Sequence, residues 1–294
     1  MAARLLTPVI VHLLDGTYEL FRQHFGRPDP GEYGATKALL SNTLGMLADG
    51  VTHLGVASDH IIESFRNDLW PGYKTSAGMP PELLAQFPVM EGAMAAMGVT
   101  VWPMVEWEAD DALASAAAVA YADTRVERVL ICTPDKDLGQ CVRDPLVAQF
   151  DRRQGKLIDE AAIRTKFGVG PLSIPDWLAL VGDSADGFPG LPGWGAKTAA
   201  TVLARYERIE DVPALARDWE VQVRGAVKLA TTLVDQRDRA ELFKVLATLR
   251  TDAEVGDVDD WRWAGPTADF EPWAEWVGSP NLARRAEKLA ATRA

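Results

Sequence analysis

Val9-Ile-Val-His-Leu-Leu-Asp15 decides the reading of this chain: a short apolar run, rich in β-branched residues, that closes on a carboxylate. Such a run reads as a buried strand. It is far below the roughly 18 uninterrupted apolar residues that a membrane span requires. The longer run from Leu5 to Leu14 is broken by Pro8 and His12, and no small-residue cleavage site follows it, so a buried strand is the better reading than a signal peptide. Comparable runs follow at Leu54–Ala57 and Val129–Cys132, with a shorter one at Val99–Trp102. Between them apolar residues recur with helical period, at Leu40, Thr43, Leu44 and Leu47 and at Leu113, Ala116, Ala117 and Ala120. Strands alternating with helices predict an α/β fold with a parallel sheet and helical crossovers. Ligands of such sheets bind beyond the carboxyl ends of the strands. Acids stand there: Asp15 follows the first run, Asp59 lies two residues past Ala57, and Asp135 and Asp137 follow the third.

The alternation breaks between Phe65 and Pro88. Arg66, Trp70, Pro71, Tyr73 and Lys74 are mixed there with Gly72, Gly78, Pro80 and Pro81, which predicts an irregular excursion above the sheet. From Pro171 the character changes to short helices around Gly190-Leu-Pro-Gly-Trp-Gly-Ala-Lys-Thr198. The C-terminal part is helical, and its Trp261, Trp263, Trp273 and Trp276 are expected to pack those helices on the body. At 294 residues and 48% hydrophobic, the chain has ample material for one large domain or two smaller ones. Two cysteines, Cys132 and Cys141, cannot form a disulfide framework, so a reducing cytoplasm is the expected setting.

Nine acids fall into four groups. Asp15 and Asp59 end strands; Glu108, Asp110 and Asp111 open a helix; Asp135 and Asp137, two apart, share one side of an extended segment; Asp183 and Asp186, three apart, share a helix face. Each group has an ordinary structural explanation. First-turn acids complement a helix dipole, and an aspartate after Pro134 suits a turn. Taken together, acids converging on one rim repel one another and favour either protonation or a bound cation. No histidine or cysteine alternates with them, and His12, His24, His53 and His60 lack ligand spacing. The donors are hard oxygens, which suit Mg²⁺ or Mn²⁺ rather than zinc. A carboxylate cluster holding two such ions is suited to phosphoryl chemistry.

The net charge of −12 argues against a nucleic-acid partner, and taken alone suggests a metabolic enzyme. Setting nine of the 42 acids against bound cations removes most of that excess. The remainder is still not basic. Any DNA affinity must rest on local patches and should be modest and salt-sensitive.

In order along the chain, Leu14-Asp-Gly-Thr-Tyr18 with Phe21-Arg22, Ser64-Phe-Arg-Asn-Asp-Leu-Trp-Pro-Gly-Tyr-Lys74, Glu108-Ala-Asp-Asp111, Thr133-Pro-Asp-Lys-Asp137, and Gly182-Asp-Ser-Ala-Asp186 leading to Gly190–Ala199 resemble the bacterial 5′–3′ exonuclease and flap endonuclease family, including the N-terminal nuclease domain of DNA polymerase I. The resemblance covers about residues 8 to 250. It implies a PIN-like catalytic domain over 1–170 with a helical arch at about 64–90. It also implies a helix-three-turn-helix DNA-binding region over 171–250 and a C-terminal helical segment over 251–294. By that match Asp15, Asp59, Glu108, Asp110 and Asp111 serve mostly one metal position, and Asp135, Asp137, Asp183 and Asp186 serve the second. Lys74 and Arg66, with Asp59 and Asp135, form the catalytic set. The arch cations stabilise charge developing on the phosphate, and Tyr73 offers a ring on which any unpaired base can stack. Packing of the arch is the competing role for Tyr73 and Trp70. Arg22 reaches a phosphate or is an ordinary surface arginine.

The Gly190–Thr198 turn nearly fits a phosphate-binding loop, but Ala196 separates Gly195 from Lys197 and spoils the spacing. A hairpin between two helices fits better, with Gly190, Gly193 and Gly195 allowing close backbone approach and Trp194, Lys197 and Thr198 facing DNA phosphate. The resemblance adds K⁺ at this turn. One departure stands out: many relatives carry a further arginine shortly after the arch lysine, whereas this chain reads Lys74-Thr-Ser-Ala-Gly78. The expected protein is a monomeric, stand-alone, metal-dependent nuclease. It would act in the cytoplasm, with the nucleoid, on DNA 5′ flaps, nicks or ends and on RNA primers. The alternatives are a catalytically weak DNA-binding scaffold on the same fold and a PIN-type ribonuclease.

Overall fold

The structure, a computed structural model, describes residues 9–26 and 31–293; of the run from Leu5 to Leu14, the part from Leu5 to Pro8 lies outside them. The chain divides into two compact units, each assembled from separated stretches. The first comprises Met1–Ile62, Ser76–Thr133 and Thr251–Ala294, and the second Glu63–Thr75 and Pro134–Arg250.

The first unit holds four strands, β1 (Val9–Asp15), β2 (His53–Asp59), β3 (Thr100–Met104) and β4 (Val126–Cys132), in the spatial order β3-β2-β1-β4. All three pairings are parallel, with Asp15 beside Ala57 and Asp59 beside Met104. Every residue of β2 is buried, as expected of an interior strand in a parallel sheet. Gly55 within it is required by a neighbour rather than by its own backbone, because a Cβ there would lie 2.0 Å from the Trp102 ring. The helical periods noted in the sequence become helices Gly34–Ala48 and Ala109–Ala122.

The last stretch closes this unit. Leu54 N–H donates to Trp261 O at 2.9 Å and Trp263 N–H to Thr52 O at 2.8 Å. The Trp102 and Trp261 rings meet edge to face at 5.5 Å, and both indole N–H groups donate to Val255 O, at 3.1 and 2.7 Å. Trp263 donates to Met97 O at 2.9 Å, and the Trp273 ring lies so close to Gly92 that a Cβ there would be 2.4 Å from it. Trp276 departs from the expected packing: it is 55% exposed, with an edge-on contact to Tyr33 at 5.8 Å.

The second unit has an antiparallel pair, β5 (Val147–Asp151) and β6 (Lys156–Ile158), and helices Ile174–Val181, Ala196–Tyr206, Ala226–Asp235 and Arg237–Ala247 around a core that includes Leu178, Leu180, Phe188, Trp194 and Phe243. A buried ion pair ties two of these helices. Asp176 lies 2.8 Å from Lys244 Nζ and accepts Ile209 N–H at 2.8 Å. Burial still raises the Asp176 pKa against those two partners.

The Gly190–Gly195 turn does join two helices. Helix Ile174–Val181 stops at Gly182, where φ is +88°, and the chain returns through Gly190, where φ is +68°. A Cβ on either glycine would come within 2.4 Å of backbone atoms on the other side of this crossing. Both positions therefore exclude side chains on two grounds, backbone conformation and space. The segment expected to be irregular holds only the five-residue helix Phe65–Leu69 and the four-residue Pro81–Leu84 before the longer Gln86–Ala96 begins. Among the described residues no helix is long and apolar enough to cross a membrane.

Candidate metal centre

In the first unit, the parallel register sets Asp15 and Asp59 at the carboxyl ends of neighbouring strands, and Glu108 begins the helix that follows β3. Asp15 accepts Tyr18 N–H at 2.8 Å and the Thr133 hydroxyl at 3.0 Å. Asp59 Oδ1 accepts Ala109 N–H at 2.7 Å, and Asp111 Oδ2 accepts Glu108 N–H at 3.0 Å in a capping box. These acids thus line one rim while some of their oxygens also satisfy amides at the starts of helices Gly16–Phe25 and Ala109–Ala122. Asp110 is half-buried on the first turn of helix Ala109–Ala122. Among the described residues of this unit, no three carboxylates gather within the 4.8 Å that marks the tighter group in the second unit.

That group is Asp137, Asp183 and Asp186, all buried, each offering an oxygen within 4.8 Å of the others. Neither pair has the expected local geometry. Asp135 and Asp137 do not share an extended strand: Asp137 starts a 3₁₀ turn, and its N–H donates to Asp135 Oδ1 at 3.0 Å. Asp183 and Asp186 do not share a helix face, because Gly182 has already ended the helix. They flank a tight loop closed by Asp183 N–H to Phe188 O at 2.8 Å and Phe188 N–H to Asp183 O at 3.0 Å. The loop brings the two carboxylates together without helical spacing.

Two lysines enter the group. Lys136 Nζ is 2.5 Å from Asp183 Oδ2 and 3.9 Å from Asp137 Oδ1, and Lys74 Nζ is 3.2 Å from Asp186 Oδ1. Burial, then the charges of Asp135 and Asp186, push the Asp137 pKa well up, with Lys136 opposing. Burial also works against the charge on Lys136, but Asp137, Asp183 and Asp135 outweigh it and raise its pKa. Asp183 Oδ2 is held by the Lys136 ammonium, whereas Asp137 Oδ1 is a buried oxygen without a hydrogen-bond donor, 3.9 Å from the same ammonium. Three buried carboxylates crowded this closely, one with an orphaned oxygen, offer hard donors that fit a divalent cation such as Mg²⁺ or Mn²⁺. Lys136 was legible in the quoted Thr133–Asp137 motif, between two of the acids, yet nothing local marked it as a partner of Asp183.

The sequence matches the family described as 5′–3′ exonuclease, N-terminal resolvase-like domain, over residues 10–168, and its companion, 5′–3′ exonuclease, C-terminal SAM fold, over residues 169–269. The chain belongs to the 5′–3′ exonuclease family. DNA polymerase I of Pseudomonas aeruginosa is 33% identical over 258 residues, 83% of this chain and 27% of that protein. DNA polymerase I of Bacillus caldotenax is 32% identical over 293 residues, 92% of this chain and 32% of that protein. The chain thus spans between a quarter and a third of the length of these relatives. Its fold, an α/β PIN-like core with a SAM-like helical part, is shared with T5 5′-exonuclease carrying bound zinc (TM-score 0.67, 16% identity, 96% of this chain and 98% of that one). It is also shared with the catalytic core of Rad2 in complex with DNA substrate (TM-score 0.62, 13% identity, 98% and 95%).

Three residues expected to touch nucleic acid lie elsewhere. Arg66 is 1% exposed; its Nε donates to Leu246 O at 2.8 Å and its Nη2 to Thr248 O at 3.3 Å. It caps the carboxyl end of helix Arg237–Ala247, where free carbonyls and the helix dipole both favour a cation. Tyr73 is 4% exposed within the second unit's core, so its ring has no face for a base. It lies instead beneath Lys74, whose Nζ is 5.6 Å from the ring centroid. Trp194 is buried against Trp219 at 6.1 Å. In each case an amphipathic side chain supplies the apolar area or bonds that a small helical core needs.

The remaining expected contacts are accessible. Lys197 is exposed and Thr198 half-buried on the first turn of helix Ala196–Tyr206, with Gly193 and Gly195 exposed before it and Gly190 buried. Arg22 pairs with Glu19 one turn earlier on its own helix. Lys74 is set by backbone contacts: its N–H donates to Asp186 O at 3.0 Å, and the Trp70 indole donates to Gly187 O at 3.0 Å. A Cβ on Gly187 would lie 2.0 Å from Gly72 O.

Proposed function

We propose that this chain is a divalent-metal-dependent 5′ nuclease that hydrolyses DNA phosphodiester bonds at 5′ ends, flaps or nicks in replication and repair. The observation that carries the reading is the buried Asp137, Asp183 and Asp186 group with the orphaned Asp137 Oδ1 and attendant lysines, in a chain of the 5′–3′ exonuclease family. The nine acids hold two ions. Asp15, Asp59, Glu108, Asp110 and Asp111 hold one; Asp135, Asp137, Asp183 and Asp186 hold the other. Each set falls within a single unit. Mg²⁺ or Mn²⁺ supplies an activated water and neutralises charge on the phosphate when bound.

The chain's own residues do the rest. Lys74 leaves Asp186 to meet the anionic phosphate, a charge-assisted contact that grows as negative charge develops. Lys197, Thr198 and the amides at the start of helix Ala196–Tyr206 hold backbone phosphates, with Gly190, Gly193 and Gly195 shaping the turn and a K⁺ ion beside it. T5 flap endonuclease in complex with DNA and metal ions and Rad2 with DNA substrate support a DNA partner here. RNA primers are further substrates, and the protein works as a cytoplasmic monomer.

The test compares a 5′-flap duplex, a blunt duplex and single-stranded RNA, each with Mg²⁺ and with EDTA, using the native chain, Asp137→Asn and Lys74→Ala. The expected result is Mg²⁺-dependent flap cleavage that Asp137→Asn abolishes. Lys74→Ala should cut cleavage far more than duplex binding. Absence of metal-dependent flap cleavage overturns the reading, and a preference for RNA replaces it with a PIN-type ribonuclease.

A further inference from the structure

Asp59 sits between two residues held by one buried carboxylate. Ser58 Oγ donates to Glu91 Oε1 at 2.7 Å, and His60 Nδ1 lies 2.6 Å from Glu91 Oε2. Ser58 is fully buried and Glu91 7% exposed, on the helix Gln86–Ala96 whose other inward residues include Val89, Met90, Ala93 and Met94. A carboxylate in such company is costly unless its oxygens are satisfied, and here both are engaged. A carboxylate only accepts, so His60 carries its proton on Nδ1.

The consequence falls on Asp59. Ser58, on the strand, and His60, in the turn just past its end, both reach Glu91, while Asp59 between them is held by other partners. Asp59 N–H donates to Thr17 Oγ1 at 2.8 Å, and its Oδ1 accepts Ala109 N–H at 2.7 Å. His60 N–H returns to Ser58 O at 3.1 Å and tightens the turn. We infer that Glu91 is a positioning residue for Asp59: by clamping both neighbours it fixes the strand end from which Asp59 presents its carboxylate. The inference rests on the reading of Asp59 as a metal ligand. Glu91 is not itself a ligand, since both its oxygens are occupied by Ser58 and His60.

The experiment measures Mn²⁺ binding to the full chain by titration calorimetry and by the electron paramagnetic resonance signal of free Mn²⁺, with thermal melting in EDTA alongside. Asp59→Asn must weaken binding. Glu91→Ala should weaken it about tenfold, the lower end of what loss of a ligand's supporting partner costs, and Glu91→Gln, which still accepts from Ser58, should recover most of the loss. Because Glu91 acts through Asp59, the double variant Asp59→Asn with Glu91→Ala should bind no more weakly than Asp59→Asn alone. If Glu91→Ala does not fold, Ser58→Ala with His60→Ala removes the same clamp from the strand side and is read the same way. Native-like Mn²⁺ affinity in the clamp variants, or full additivity in the double variant, overturns the inference. Unchanged binding in Asp59→Asn overturns the ligand reading instead, and the inference with it.

Discussion

Replacing Asp137 by asparagine should stabilise the metal-free protein while abolishing its stabilisation by metal. In the folded chain Asp137 is buried, one of its oxygens lacks a donor, and Asp135, Asp186 and Asp183 repel its charge. The neutral amide removes the charge that burial and these carboxylates oppose, which should recover about 1–3 kcal/mol in EDTA, or about 2–4 °C of melting temperature per kcal/mol. Metal reverses the order. At a hundred times its dissociation constant, an ion that binds only the folded state adds about 2.7 kcal/mol to the native protein, and the variant lacks a ligand to receive it. The pH dependence has a fixed sign. Unfolded, the carboxyl titrates near 3.8; folded, it titrates higher. Between those values the folded state holds more protons, so metal-free stability is greatest at acid pH and falls as pH rises through the window. Asp137→Asn should remove that slope. Urea unfolding of both proteins, in EDTA and in excess Mn²⁺, across pH 4 to 8, reads all of this. A variant less stable than the native chain in EDTA, with an equal gain from Mn²⁺, would refute the reasoning.

Arg66→Ala should lower stability by about 2–4 kcal/mol, the worth of one to two charge-assisted bonds to buried carbonyls. It should leave the folded protein's affinity for flap DNA within about twofold, since its guanidinium caps a helix; urea unfolding and a binding titration separate the two. Tyr73→Ala should cost about 3–5 kcal/mol as a core truncation, and a variant of native stability with weakened single-strand binding would return Tyr73 to a stacking role. Gly187→Ala forces a left-handed residue against Gly72 O, at a cost of about 1–3 kcal/mol. Cleavage should then fall toward the Lys74→Ala level, because the same contact seats Lys74; native cleavage at reduced stability would separate the lysine from the turn.

The sheet was legible because its strands write their pattern locally: apolar runs rich in β-branched residues, with acids at the ends of β1 and β2 and shortly beyond the end of β4. Helix Ala109–Ala122 likewise announced itself by period and by its acidic first turn. The spacing of Asp183 and Asp186 misled because three-residue separation means one face only while a helix continues, and Gly182 ends it first. Arg66 and Tyr73 misled for a different reason. A cation and an aromatic beside Lys74 look like ligand contacts until the carbonyls of Leu246 and Thr248, about 180 positions later in sequence, claim the guanidinium. Glu91 gave no signal at all, since its partners are defined by the fold rather than by spacing.

The closure of the first unit by its last stretch sets a schedule for synthesis. The strands are complete once Cys132 has emerged, yet Leu54 N–H, the Trp102 indole and the Gly92 surface wait for Trp261, Val255 and Trp273. Roughly 120 residues of the other unit are made in between, which at about 5–20 residues per second is on the order of ten seconds. During that interval the helical unit can finish while the sheet stands unsealed on the ribosome. Slow codons placed after residue 250 would prolong this exposure, and with it the nascent chain's need for chaperones.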